Sequence, residues 1–295
     1  MDKHMLWLIA GLVLLAVMLI VQYLTRKVEN SFVTRLISGV ILLDIALIVI
    51  IRGSYLLYAV CLVFSLIGAF EFYRAMGLYS RGKKRTPLEI AGYIGVILYY
   101  LSLISGGQMP RIISVVLCVT LLMSVYVFTF PAFRIGQVMT ALFGIIYVGV
   151  MLSFIYQTRM LPNGRYSVWL IFICSWGCDT CAYLFGRMFG RHKMTPVLSP
   201  HKTIEGAVGG IVGASVLGLL FALLTREDAA AFMIISAIGA VISIIGDLAA
   251  SAVKRNEDIK DYGTLIPGHG GVLDRFDSVI FTAPVIYFLA YTVSM

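Results

Sequence analysis

Charge is what this sequence has least of. Only 13% of its 295 residues are Asp, Glu, Lys or Arg, while 60% are hydrophobic. Ordinary soluble domains carry about 25% charged residues. So little charge excludes a soluble fold, because the apolar surface could not all be hidden from water. Cysteine is scarce too. Cys61, Cys118, Cys174, Cys178 and Cys181 all lie inside apolar runs, which excludes a disulfide framework in the loops. Cys178 and Cys181 have C-x-x-C spacing, but within an apolar segment they read as small packing residues, not as a redox or metal pair. Long linkers, low-complexity segments and a soluble domain are all missing. The first apolar run, Met5 to Tyr23, is too long for a signal core and has no small-residue cleavage site after it, so it reads as a retained span.

The apolar runs have the length of membrane helices and lack the alternation of a barrel, so the expected fold is an all-α polytopic transmembrane helix bundle. Ten spans are expected, at roughly 5–24, 33–51, 54–73, 88–105, 111–130, 135–156, 167–186, 204–224, 229–250 and 278–294. Most connections between them are short. Of the 23 Lys and Arg residues, only Lys3, Arg52, Arg111, Arg159, Arg165 and Arg226 fall on one side of the membrane. The basic-rich side is expected to be cytoplasmic, with both termini outside. A net charge of +8 then reports orientation and anionic lipid, not nucleic acid. The basic cluster at 81–85 follows the same rule. Gly206 with Gly210, and Gly209 with Gly213, have small-xxx-small spacing, which packs helices closely within one chain or joins two copies as a homodimer.

What charge there is gathers on that basic-rich side. The longest polar stretch, Ser251 to Asp277, holds Lys254, Arg255, Lys260 and Arg275 beside Asp258, Asp261, Asp274 and Asp277. Its middle, Pro267 to Gly271, cannot continue a helix cheaply. Asp247, Ser251 and Lys254 share one helix face, and Asp274 and Asp277 stand three apart at the mouth of the last span. Ser199-Pro200 reads as a helix N-cap with proline in the first turn, which with Lys202 would make an anion site. Asp179, Tyr183 and Arg187 line one helix face. An acid inside an apolar span must face a wet cavity or a partner, here either a cavity or Arg187. Asp44 and Glu71 read as structurally paired acids, Glu71 with Arg74. Carboxylates for a metal, cations for phosphate and a glycine-rich bend point to a membrane enzyme acting on a phosphorylated substrate.

These residues resemble a known pattern. Ser251-x-x-Lys254-Arg255, Lys260-Asp261, Pro267 to Gly271 and Asp274-Arg275-x-Asp277 closely resemble the signature of the phosphatidate cytidylyltransferases, or CDP-diacylglycerol synthases. Ser199-Pro200-x-Lys202-Thr203-x-Glu205-Gly206 and Asp179-x-x-Ala182-Tyr183-x-x-Gly186-Arg187 are similar to two further motifs of that family. The resemblance runs from about residue 32 to the end. It implies a nine-span enzymatic domain over 31–295 and an extra helix with its linker in 1–30. It also implies cytidylyl transfer from CTP to phosphatidate, with Mg²⁺ and room for a second metal ion, at the cytoplasmic face of a prokaryotic inner or plasma membrane. Asp179, Asp247, Asp274 and Asp277 would be the metal ligands. Lys202, Lys254, Arg255 and Arg275 would bind the triphosphate and the lipid phosphate. His269 would donate a hydrogen bond or act as a late acid. Ser199, Thr203, Glu205, Tyr183, Lys260, Asp261, Gly268, Gly270 and Gly271 would surround the substrates. CTP, phosphatidate and membrane lipids are the expected partners. A CTP-dependent polyprenol or phytol kinase and a membrane transporter are the alternative readings. The first would release CDP and the second no pyrophosphate.

Overall fold

The computed structural model describes residues 47–78, 85–265 and 270–294. The expected span 5–24, most of the span at 33–51 with Asp44, the basic residues at 81–84, and Pro267, Gly268 and His269 lie outside the described residues. Among the described residues, eight helices are long and apolar enough to cross a membrane, and each coincides with an expected span. The chain is an integral membrane protein.

The spans are α1 (Ser54–Ala75), α2 (Pro87–Ile104) and α3 (Met109–Phe128), followed by α4 (Ile135–Gly144) continuing through a π-helical turn, Ile145–Val150, into α5 (Met151–Arg159). Next, α6 (Gly164–Phe172) continues through a second π turn, Ile173–Gly177, into α7 (Cys178–Phe189). The last three are α8 (Ile204–Thr225), α9 (Ala229–Asn256) and α10 (Leu273–Ser294). Polar caps mark several starts. The Thr86 hydroxyl accepts from Glu89 N at 3.2 Å ahead of Pro87, and Asp228 accepts from Ala230 N at 2.9 Å. A π turn holds an extra residue per turn, so the one before Cys178 offsets the face on which Asp179 stands.

Helix α10 is the hub, packing on α9, α5, α6 and α1. Around it, α1 to α5 form one half of the bundle and α6 to α9 the other. Helix α3 lies outermost, with Ile112, Ile113, Val116 and Leu117 exposed as a lipid-facing surface requires. Buried hydroxyls find partners between helices: Tyr73 OH donates to Ala141 O at 2.9 Å, and Ser65 Oγ lies 2.8 Å from Tyr100 OH. The glycine stripe of α8 is spent inside the chain. A side chain at Gly206 or Gly210 would press on Ala182, and one at Gly213 on Cys181. The homodimer expectation therefore loses that basis, and Cys178 and Cys181 are free thiols packing this contact.

A two-stranded antiparallel hairpin, β1 (Lys193–Thr195) and β2 (Ser199–Thr203), joins α7 to α8. This corrects one expectation. Ser199 does not cap a helix and Pro200 does not open one; both are in the strand. The cap is Thr203, in extended backbone (φ −119°, ψ 153°), whose hydroxyl accepts from Gly206 N at 3.1 Å. In a two-stranded hairpin every strand is an edge, so proline is tolerated, and the helix begins only where the apolar run begins, at Ile204.

Because the eight spans among the described residues alternate in direction, the hairpin and residues 257–265 fall at the same end as Arg74, Arg85 and Arg134. Arg111 and Arg159 sit at the opposite end, where Arg111 donates to Gln157 at 2.8 Å and Arg159 to Ile50 O at 3.3 Å.

Candidate active site

Four stretches far apart in sequence meet at the hairpin end. From the last two turns of α9 comes Lys254, whose ammonium lies 3.0 Å from Asp274 Oδ1 and 3.6 Å from Asp277 Oδ2 at the start of α10. The i, i+3 spacing puts both carboxylates on one face, and one cation offsets the pair. Asp274 is almost fully buried. Its second oxygen accepts from Tyr262 N at 2.8 Å and Gly271 N at 2.9 Å. About two turns before Lys254, Asp247 pairs with Lys202 of β2. Burial pushes the Lys202 ammonium below its ordinary value, and the nearby Asp179 and Asp277 carboxylates partly restore it. Lys254 acts on Lys202 as well, so the two ion-paired groups share one electrostatic neighbourhood.

Arg275 belongs to the same neighbourhood, within electrostatic reach of Asp179 and Asp277. Its carbonyl accepts from the Trp176 indole at 3.3 Å, which ties the π turn to the start of α10. Its Nε is buried without a hydrogen-bond partner among the described residues, a donor still to be used. A cavity of about 490 Å³ opens at the Lys202–Asp247 pair, lined also by Asp179, Tyr183, Arg187 and His201 among others. Asp179 lines this cavity, while Arg187 donates to Tyr183 OH at 3.2 Å.

Other expected residues have different placements. The Arg255 guanidinium donates to Ile259 O at 3.0 Å and is exposed, holding the loop rather than facing the carboxylates. Lys260 and Asp261 are exposed on that loop. Glu205 accepts from the backbone N–H groups of Arg191 and His192, and its Oε1 lies 2.6 Å from His192 Nδ1, so it anchors the chain entering the hairpin. Gly270 has φ +86°, a left-handed value suited to glycine. It turns the chain so that the Gly271 N–H meets Asp274, which spends that donor on protein.

Glu71 was misassigned at the level of sequence. It does not pair with Arg74 on the surface. It is buried in α1, and its two oxygens accept from Val272 N at 3.0 Å and Leu273 N at 2.7 Å. A carboxylate from the first described span thus caps the N-terminus of the last, where free N–H groups and the helix dipole favour an anion. Any side chain at Gly263 or Gly271 would collide with it. Local spacing gave no signal for this contact. The burial of a lone acid was the only hint, because such a group must find a partner.

Among the described residues no three His, Cys, Asp or Glu side chains converge as a ligand set. The donors on offer are carboxylate oxygens, the chemistry of Mg²⁺, which uses one or two carboxylates and takes the rest of its shell from phosphates and water. In that sense the residues present fit Mg²⁺ bound together with a phosphorylated ligand.

The chain is similar to known proteins over most of its length. The sequence model of the Cytidylyltransferase family matches residues 33–293. A protein of Staphylococcus saprophyticus named phosphatidate cytidylyltransferase is 31% identical over 259 residues, covering 86% of this chain and 97% of its own. Proteins with the same name in Bacillus subtilis (31% over 267 residues, 86% and 96% covered) and Staphylococcus aureus (30% over 259 residues, 86% and 97% covered) are similar to it.

Proposed function

This chain belongs to the cytidylyltransferase family, and from that premise we propose how its hairpin-end cluster carries out the family's chemistry. The protein transfers the cytidylyl group of CTP to phosphatidate, giving CDP-diacylglycerol and pyrophosphate for phospholipid synthesis. A phosphate oxygen of phosphatidate bonds to the α-phosphorus of CTP. The bond from that phosphorus to the bridging oxygen breaks, and pyrophosphate leaves with the electron pair. The nucleophile is already an anion, so no strong base is needed. The site must neutralise charge and hold two phosphates in line.

The observation that carries this reading is the convergence at one end of the bundle of Lys202–Asp247, which line the cavity, and Lys254–Asp274–Asp277. Lys202 holds the triphosphate in that cavity, and the unspent Arg275 donor adds a cation to the same neighbourhood. Lys254 keeps Asp274 and Asp277 close without mutual repulsion. Asp274 and Asp277, with Asp247 and Asp179, would hold Mg²⁺ and, with CTP present, a second ion. Bound there, the metal would supply charge stabilisation for the departing pyrophosphate. The site faces the cytoplasm of a prokaryotic cell, where CTP is found; the excess of basic residues at this end supports that side.

The test uses purified protein in detergent with labelled CTP and phosphatidate. Equal amounts of pyrophosphate and CDP-diacylglycerol are expected, with the activity removed by EDTA and restored by Mg²⁺. CDP in place of pyrophosphate would identify a kinase instead, and activity unchanged in EDTA would remove the metal assignment.

A further inference from the structure

A second cavity, of about 750 Å³, shares no lining residue with the first. It is bounded by α1, α2 and the segment 262–265. Its charged end carries Arg74, at the end of α1, and Arg85, just ahead of α2. Below them the walls are Phe70, Ile67, Leu66 and Ile97. Along α1 these positions descend two turns from Arg74, about 11 Å into the apolar span. Ile97 is 40% exposed on the outer face, so the groove is open sideways to lipid.

The inner wall is Tyr262 and Gly263. Tyr262 N is the donor to Asp274 Oδ2 at 2.8 Å, and its ring centre lies 5.4 Å from the Lys254 ammonium. A single residue therefore separates this cavity from the two carboxylates and their lysine. Glu71 also borders the cavity, but both of its oxygens are engaged by the α10 backbone. The Arg85 guanidinium lies 5.4 Å from the Tyr93 ring centre, a stacking contact that leaves its planar donors available. Among the described residues no hydrogen bond or ion pair occupies the Arg74 guanidinium.

We propose that this cavity is the subsite for the lipid substrate, with a phosphate monoester headgroup held by Arg74 and Arg85 and an acyl chain lying along Phe70, Ile67 and Ile97. The inference rests on the cytidylyl-transfer reading, and it separates the two reactants. CTP occupies the cavity bounded by α7, α8 and α9, and the lipid occupies the cavity bounded by α1 and α2. Tyr262 of the lipid cavity touches Asp274 and Lys254, and Lys202 of the CTP cavity lies within electrostatic reach of Asp277 and Lys254. In-line displacement requires nucleophile and leaving group on opposite sides of phosphorus, and holding the two reactants in separate cavities serves that requirement. Guanidinium pairs recognise phosphate through two parallel hydrogen bonds, while the apolar walls below offer nothing to a nucleobase.

The experiment measures KM for phosphatidate and for CTP separately in mixed micelles, using R74Q, R85Q, the double variant, and I97W, which narrows the groove without touching charge. The double variant is expected to raise KM for phosphatidate about tenfold or more, the value for losing charge-assisted hydrogen bonds, with KM for CTP within about twofold. R74K with R85K restores part of the loss, and I97W raises only the lipid KM. An unchanged lipid KM, or an equal rise in both constants, overturns the subsite. So does competition by phosphatidylglycerol, a phosphodiester, as strong as that by phosphatidate, or inhibition by inorganic phosphate at matching concentration. A second measurement needs no turnover. Phosphatidate added without CTP raises the wild-type melting temperature in detergent, and the double variant loses this shift while keeping the shift caused by CTP. Wild-type protein that shows the phosphatidate shift but releases no pyrophosphate would refute the reaction and leave the subsite standing. Wild-type turnover that survives R74Q/R85Q unchanged would refute the subsite alone.

Discussion

Replacing Glu71 should damage both the fold and the reaction, although no sequence motif contains it. The carboxylate is 4% exposed and is the partner of two backbone donors at the start of α10, Val272 N and Leu273 N. Asp274 is the next residue. In Glu71→Ala both N–H groups lose their acceptor inside the bundle. Each unsatisfied donor costs about 1–3 kcal/mol, and loss of the anion from the helix dipole adds about 0.3–1 kcal/mol. The total is about 2–7 kcal/mol, a large part of a typical folding free energy. Glu71→Gln keeps one acceptor but turns an NH₂ group toward the other N–H, so about 2–3 kcal/mol is expected. Glu71→Asp keeps the charge but falls short by one methylene. If geometry rules, Asp is no better than Gln; if charge alone rules, Asp is near wild type. The assay is thermal unfolding in detergent alongside the rate of pyrophosphate release. A shift of the α10 start by about 1 Å can cost about 10²-fold in rate. Wild-type melting and turnover in Glu71→Gln would refute the reasoning.

Two further outcomes follow from the same geometry. Lys254→Met leaves Asp274 and Asp277 facing each other without a cation, and turnover should fall at least about 10²-fold with Lys254→Arg partly active; a Met variant within about threefold of wild type would show that the lysine is dispensable. Gly210→Leu forces a side chain onto Ala182 and Cys178 across α7 and α8, and should destabilise by about 1–3 kcal/mol, read as a lower melting temperature. The same change at Gly136, where nothing lies near, should leave melting unaltered.

Much of the site was legible because its members repeat at helical spacings. Asp274 and Asp277 three apart, and Asp247 and Lys254 seven apart, announce shared faces, and the structure brings all four to one end of the bundle. The hairpin was not legible, because Ser-Pro before an apolar run satisfies a capping pattern as well as it satisfies an edge strand. The placements of Arg255 and Glu205 were not legible for a related reason. A charged residue within a motif reads the same whether it meets a ligand or the neighbouring backbone, and here both meet backbone.

By itself the sequence determined that the chain lives in a membrane, where the eight described spans lie, and that most of its cations collect at one end. These properties depend on the local balance of apolar and charged residues, which each segment carries alone. Tertiary structure decided which cation meets which carboxylate, that α1 supplies the cap of α10, and that Lys202 and Asp247 line one cavity while Arg74 and Arg85 line another. Those contacts join residues as much as 202 positions apart. They arise only when helices pack, because the energy of a buried charge is set by its neighbours in space and not by those along the chain.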